Sequence, residues 1–129
     1  MTLKIKPPVN NRLVVFALKG VAMFKINGIT WRIERVSPGS ACLKRSDGSE
    51  TVGVTDGNIC TIYISNKLRG AFLRRVMAHE LCHAFCMSYN IHMPIEQEEY
   101  LADWIGLYGA ELVYLLDEIL SNNMLHKAG

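Results

Sequence analysis

The stretch that decides the fold opens with Ile59-Cys60-Thr61-Ile62-Tyr63-Ile64-Ser65 and continues, after Asn66-Lys67-Leu68, to Met77-Ala78-His79-Glu80-Leu81-Cys82-His83-Ala84. Its first part alternates. Ile62 and Ile64 fall on one face, and Thr61, Tyr63 and Ser65 on the other, which is the period of a strand. Its second part changes period: from about Arg69 to Tyr89, apolar residues such as Phe72, Val76 and Phe85 recur at helical spacing. A strand therefore hands over to a helix within a few residues.

Upstream, the signals are those of β structure. Phe24-Lys25-Ile26 and Ile29-Thr30-Trp31 flank Asn27-Gly28, the dipeptide best suited to a tight hairpin because both turn positions tolerate positive φ. The second strand of this hairpin runs to about Val36, where Ser37-Pro38-Gly39 stops it. A second hairpin is expected around Asp47-Gly48, with Thr51 to Thr55 returning, and Asp56-Gly57-Asn58 makes a further turn. Residues 1–10 read as an extended arm, and the apolar run within residues 11–20 is too short for periodicity to choose helix or strand. Downstream, Pro94 suits the start of a new helix, and Glu96, Glu98 and Glu99 suit its positive N-terminal end. That helical pattern continues from about Ile95 to Leu120, with Gly106 and Gly109 as points of interruption or close packing. Strands first and helices second predict an α+β fold: a small, mostly antiparallel sheet in the N-terminal half, packed with C-terminal helices.

The chain has 129 residues, half of them apolar and 20% charged, which fits one globular domain spanning residues 1–129. A net charge of +2, with bases scattered apart from Lys44-Arg45 and Arg74-Arg75, does not suggest a nucleic-acid partner. The run Leu13 to Leu18 is too short to span a membrane, and no secretory leader or lipidation signal is read. Cys42, Cys60, Cys82 and Cys86 are therefore expected as reduced thiols in a cytoplasmic protein.

The chemistry lies in His79-Glu80-Leu81-Cys82-His83, an H-E-x-x-H motif. Positions i and i+4 of a helix sit one turn apart on one face, so two imidazoles there can converge on a metal ion. Glu80, about 100° further round, can reach a water on that metal without being a ligand. Two imidazoles and a carboxylate suit Zn2+, which acidifies such a water so that Glu80 can take its proton. Three such side chains on an otherwise apolar helix are expensive unless satisfied.

A third ligand is required. Glu99-Tyr100-Leu101-Ala102-Asp103 offers two acids at i and i+4: Glu99 to bind the metal, and Asp103 to accept a hydrogen bond from a histidine ring and fix its tautomer. Glu98 is the rival ligand. A metzincin pattern is excluded, because Cys86 and Tyr89 stand where it needs glycine and histidine. His92 would lie between helices, and Cys86 reads better as a small core residue. The strand Thr61 to Ser65 could be an exposed edge that pairs with an extended substrate, or an internal strand. Tyr63, Tyr89, Tyr100, Tyr108 and His92 are the candidates to stabilise an oxyanion.

The string Met77 to Ala84, followed by Glu98-Glu99-Tyr100-Leu101-Ala102-Asp103, resembles the ImmA/IrrE family of metallopeptidases, minimal gluzincins of bacteria, prophages and mobile elements. The similarity covers roughly residues 59–110. Cys82 stands where that family usually has glycine. The resemblance implies a zincin-like fold, Zn2+ held by His79, His83 and Glu99, Glu80 as the catalytic base and Asp103 behind the ligands. It further implies a protein or peptide substrate, among them helix-turn-helix repressors. The competing expectations are a catalytically dormant zincin-fold binding module with a structural zinc, and a DNA-associated protein, against which the near-neutral charge speaks.

Overall fold

The computed structural model describes residues 14–18 and 20–122. The expected arm at residues 1–10 lies outside them. Five strands form one sheet: β1 (Val14–Leu18), β2 (Val21–Ile26), β3 (Ile29–Val36), β4 (Gly53–Asp56) and β5 (Thr61–Ser65), in spatial order β1-β2-β3-β5-β4. Helices follow: α1 (Gly70–Ser88), α2 (Ile95–Trp104), a π-helical turn (Ile105–Gly109) and α3 (Ala110–Ser121). The α+β class and the order of strands then helices match the sequence reading.

The hairpin at Asn27-Gly28 forms as its dipeptide dictates, with φ of 51° and 76° at the two positions and Ile26 paired with Ile29. The sheet is mostly antiparallel, as expected: three pairings are antiparallel, and β5 alone runs parallel to its neighbour β3. The order of pairing departs from expectation. The expected hairpin around Asp47-Gly48 shrinks to a single bridge between Lys44 and Glu50. The returning segment, β4, pairs not with residues before that turn but with β5, which inserts between β3 and β4. The reason is burial. Ile62 and Ile64 are fully buried, and a strand with such residues gains most in the middle of a sheet, covered by a neighbour on each side. The strand Thr61 to Ser65 is thus internal, and β4 forms the edge.

One face of the sheet presents Phe24, Ile26, Trp31, Ile33, Ile62 and Ile64 to α1, which answers with Leu73, Val76, Met77, Leu81 and Ala84. The alternation i, i+2 on each strand meets the 3.6-residue stripe of the helix. On the β4–β5 side, a 3₁₀ turn (Ala41–Leu43) contributes the fully buried Leu43. Polar ties fix the angle of α1. The Trp31 indole N–H donates to the Ser88 hydroxyl at 2.7 Å, and the Asn27 amide donates to the Ser88 carbonyl at 3.0 Å.

Helix α2 packs back along α1 through a second cluster of Cys82, Cys86 and Ala102, bordered by Met93 and Ile105. The segment expected as one helix from Ile95 to Leu120 is interrupted by the π turn at the two glycines. Gly106 sits directly on α1: a Cβ there would meet the Arg75 carbonyl oxygen at 2.9 Å. Among the described residues, no helix is long and apolar enough to cross a membrane.

Candidate metal centre

Helix α1 brings His79 and His83 onto one face, one turn apart, and α2 crosses them with Glu98, Glu99 and Asp103. The three expected ligands converge. His79 Nε2 and His83 Nε2 are 3.2 Å apart; Glu99 Oε2 is 3.2 Å from the former, and Glu99 Oε1 is 2.9 Å from the latter. Ligands about 2.0–2.1 Å from a tetrahedral zinc stand roughly 3.3 Å from one another, so the spacing suits a small divalent cation.

The other ring nitrogens explain why these faces are bare. His79 Nδ1–H donates to Asp103 Oδ1 at 2.9 Å, and His83 Nδ1–H donates to Glu98 Oε2. A carboxylate only accepts, so it draws the ring proton to Nδ1 and leaves Nε2 with a lone pair. Two imidazole lone pairs and a carboxylate within 3.2 Å repel unless a positive charge lies between them. His79, His83 and Glu99 can therefore hold a metal ion. Glu98, weighed from sequence as a rival ligand, instead orients His83, while Glu99 points its carboxylate at both histidines.

Glu80 is buried beneath this cluster. Its Oε2 lies 3.9 Å from His79 Nε2, beside the converging donors but too far out to complete the set. Thr55 on β4 holds the other oxygen, its hydroxyl 2.8 Å from Glu80 Oε1 and 3.1 Å from the Glu80 carbonyl. Gly53 lets the strand come this close: a Cβ there would meet Glu80 Cγ and Val76 Cγ1, each at 3.0 Å. Sequence reasoning missed both residues. Contact between residues 55 and 80 leaves no local pattern to read.

These groups line an open cleft of about 500 Å³ bounded by Gly53, Val54 and Thr55 of β4 on one side and by Met87, Ile95 and Glu98 on another, with Arg45 as its basic side chain. The strand that borders the cleft is β4, not β5, because β5 spends both edges on neighbours. None of Tyr63, Tyr89, Tyr100, Tyr108 and His92 lines this cleft, so the expected oxyanion candidates are not brought to it.

All four cysteines are free. Burial, with the neighbouring Cys86 and then Glu98 and Glu99 adding to it, pushes the Cys82 thiol up to about 12. Burial and then the Glu98 charge also raise Cys86. Both remain neutral thiols of the α1–α2 packing.

Comparison with protein families, curated proteins and solved structures returns no match to this chain. The functional reading therefore rests on the residues and their geometry.

Proposed function

We propose that this chain is a zinc-dependent metallopeptidase of the minimal gluzincin type, similar to the ImmA/IrrE family, hydrolysing peptide bonds in a protein substrate. The observation that carries the reading is the convergence of His79 Nε2, His83 Nε2 and the Glu99 carboxylate, one oxygen of which lies within 3.2 Å of each nitrogen, with each Nδ1 turned onto a carboxylate. Two imidazoles and a carboxylate are a donor set suited to Zn2+. A divalent ion held there supplies Lewis acidity, which acidifies a water and polarises a carbonyl.

The chain's own residues do the rest. Glu80 is fixed by Thr55 through Oε1, which leaves Oε2 to take a proton from the attacking water and return it to the leaving amine. Asp103 and Glu98 hold the imidazoles in register. The open edge of β4 offers unpaired main-chain groups to an extended peptide, which would align its scissile bond along the cleft. Arg45 and the apolar Met87 and Ile95 border that path and supply selectivity. An open cleft beside the three donors, with the Glu99 side chain 48% exposed, favours catalysis over a purely structural metal, whose site is normally closed by protein.

The test pairs metal analysis with hydrolysis of a mixed peptide library. Wild-type protein is expected to bind about one zinc per chain and to cut peptides. Glu80→Gln is expected to keep the metal and lose cleavage by at least about a hundredfold. Metal binding without cleavage of any peptide or protein offered would favour a dormant zinc-binding module. Undiminished cleavage by Glu80→Gln would remove Glu80 from the chemistry.

A further inference from the structure

The two ends of the cleft along β4 differ in chemistry. Arg45 lines one end. Its backbone is pinned in a short loop: its N–H donates to the Ser49 carbonyl at 2.8 Å, and its carbonyl accepts from the Gly48 N–H at 2.9 Å. The loop's own acid, Asp47, is taken up by the Ser49 N–H and hydroxyl at 2.9 and 2.6 Å. Among the described residues, the Arg45 guanidinium forms no ion pair. Its one side-chain hydrogen bond is long, 3.5 Å to the Thr51 hydroxyl. Other arginines near the sheet are engaged: Arg32 with Glu34, Arg35 with the Ser65 and Leu68 carbonyls, and Arg69 with the Asn66 and Leu68 carbonyls. A fork of five donors at Arg45 thus stands open at the cleft.

The far end is apolar. Beyond Asp56 the chain turns at Gly57, and the Met87 thioether lies against that turn: a Cβ on Gly57 would meet Met87 Sδ at 2.6 Å. Met87 and Ile95 line the cleft and are 43% and 63% exposed. Between the two ends, Gly53 and Thr55 touch Glu80. At about 3.3 Å per residue, Thr51 stands roughly 7 Å along the strand from Gly53 and 13 Å from Thr55. Arg45 is therefore a few residues away from the bond being cut, at the distance of a neighbouring side chain.

We propose that this polarity selects the substrate: an extended peptide with an apolar side chain before the cut bond and an aspartate or glutamate two or three residues after it, held by Arg45. Charge and strand geometry argue for it. The cleft's carboxylates, Glu80, Glu98 and Glu99, repel an acidic side chain placed beside them. Arg45 offers a carboxylate a matching fork. A peptide added to the β4 edge pairs best antiparallel, which puts its N-terminal half at Met87 and its C-terminal half at Arg45. The position of the cut rests on the peptidase reading; the acid preference also acts in binding alone.

Two readouts test this. In the first, wild type, Arg45→Ala and Arg45→Glu, all zinc-loaded, digest a mixed peptide library, and cut sites are read by mass spectrometry. Wild type should enrich acids two or three residues after the cut by about three- to tenfold, the scale of an exposed charge pair. Arg45→Ala should lose the enrichment, Arg45→Glu should favour lysine there, and about 0.5 M NaCl should erase the wild-type preference. In the second, fluorescence anisotropy measures binding of extended peptides, leucine-bearing in the first half and carrying either glutamate or lysine in the second. The zinc-loaded proteins are Glu80→Gln with and without Arg45→Glu. The glutamate peptide should bind tighter to the first, and the order should reverse in the second. If wild type cuts nothing, the peptidase reading fails and the binding order alone decides the role of Arg45. Equal binding of the two peptides, no binding of either, or an acid preference that survives Arg45→Glu would overturn the proposal.

Discussion

Thr55 on the edge strand and Glu80 on α1 are joined by a hydroxyl–carboxylate hydrogen bond of 2.8 Å, so the sheet edge and the expected catalytic base are one rigid unit. Thr55→Val removes the donor and preserves the shape. Zinc content should be unchanged, stability should fall by about 1 kcal/mol, and turnover should drop about tenfold because Glu80 loses its fixed orientation. Urea titration and peptide hydrolysis on the same preparations check the three expectations.

Of the α2 carboxylates, Glu99 is the proposed ligand, and Glu98 and Asp103 accept from the two imidazoles. Glu99→Ala should abolish tight zinc binding. Glu98→Ala and Asp103→Ala should each weaken it by about 10–100-fold while leaving a one-to-one site. Competition with a fluorescent chelator separates the classes. Equal losses for all three would mean that the supports are themselves ligands.

The cysteines should differ in reactivity. Cys82 is buried with its thiol raised to about 12, so its thiolate fraction near pH 8 is far below that of an ordinary thiol, and alkylation should be slow. Cys42 and Cys60, partly exposed, should react first, as peptide mapping after brief iodoacetamide treatment would reveal. The linkage follows from the raised value. In the unfolded chain Cys82 ionises near 8.5, so its contribution to stability is full below that pH and is lost as pH rises toward about 12. Cys82→Ala should flatten this alkaline decline.

Gly106 is where α2 and the π turn meet α1, and an added Cβ would press on the Arg75 carbonyl at 2.9 Å. Gly106→Ala should destabilise the fold by about 1–3 kcal/mol. It should also weaken zinc binding, because α2 carries Glu98, Glu99 and Asp103. Gly28→Ala meets no neighbouring atom, but its φ of 76° makes it a strained-turn control that should leave zinc affinity intact. Thermal melting with and without zinc distinguishes the two.

Much of this molecule was legible from local pattern. The Asn27-Gly28 turn, the strand at Thr61–Ser65, the helix around His79 to His83 and the second helix with Glu99 and Asp103 depend on residues close in sequence, where φ preference and side-chain period act directly. The pairing of His79 with His83 likewise needs only helix geometry. Local pattern could not decide long-range pairing. It could not tell that β4 would take the edge and β5 the interior, nor that Glu98 rather than Asp103 would hold His83, nor that Thr55 would reach Glu80.

The sequence by itself determined the helix that presents two imidazoles and a carboxylate, and the acidic segment able to meet them, because these are properties of 3.6-residue spacing within single elements. Only the tertiary structure decided which acid does what and which strand borders the cleft. Those outcomes follow from the crossing of α2 over α1 at Ala102 and Gly106 and from the burial of Ile62 and Ile64. Both are packing choices set by the whole set of elements competing for the same core, and no short window of sequence contains them.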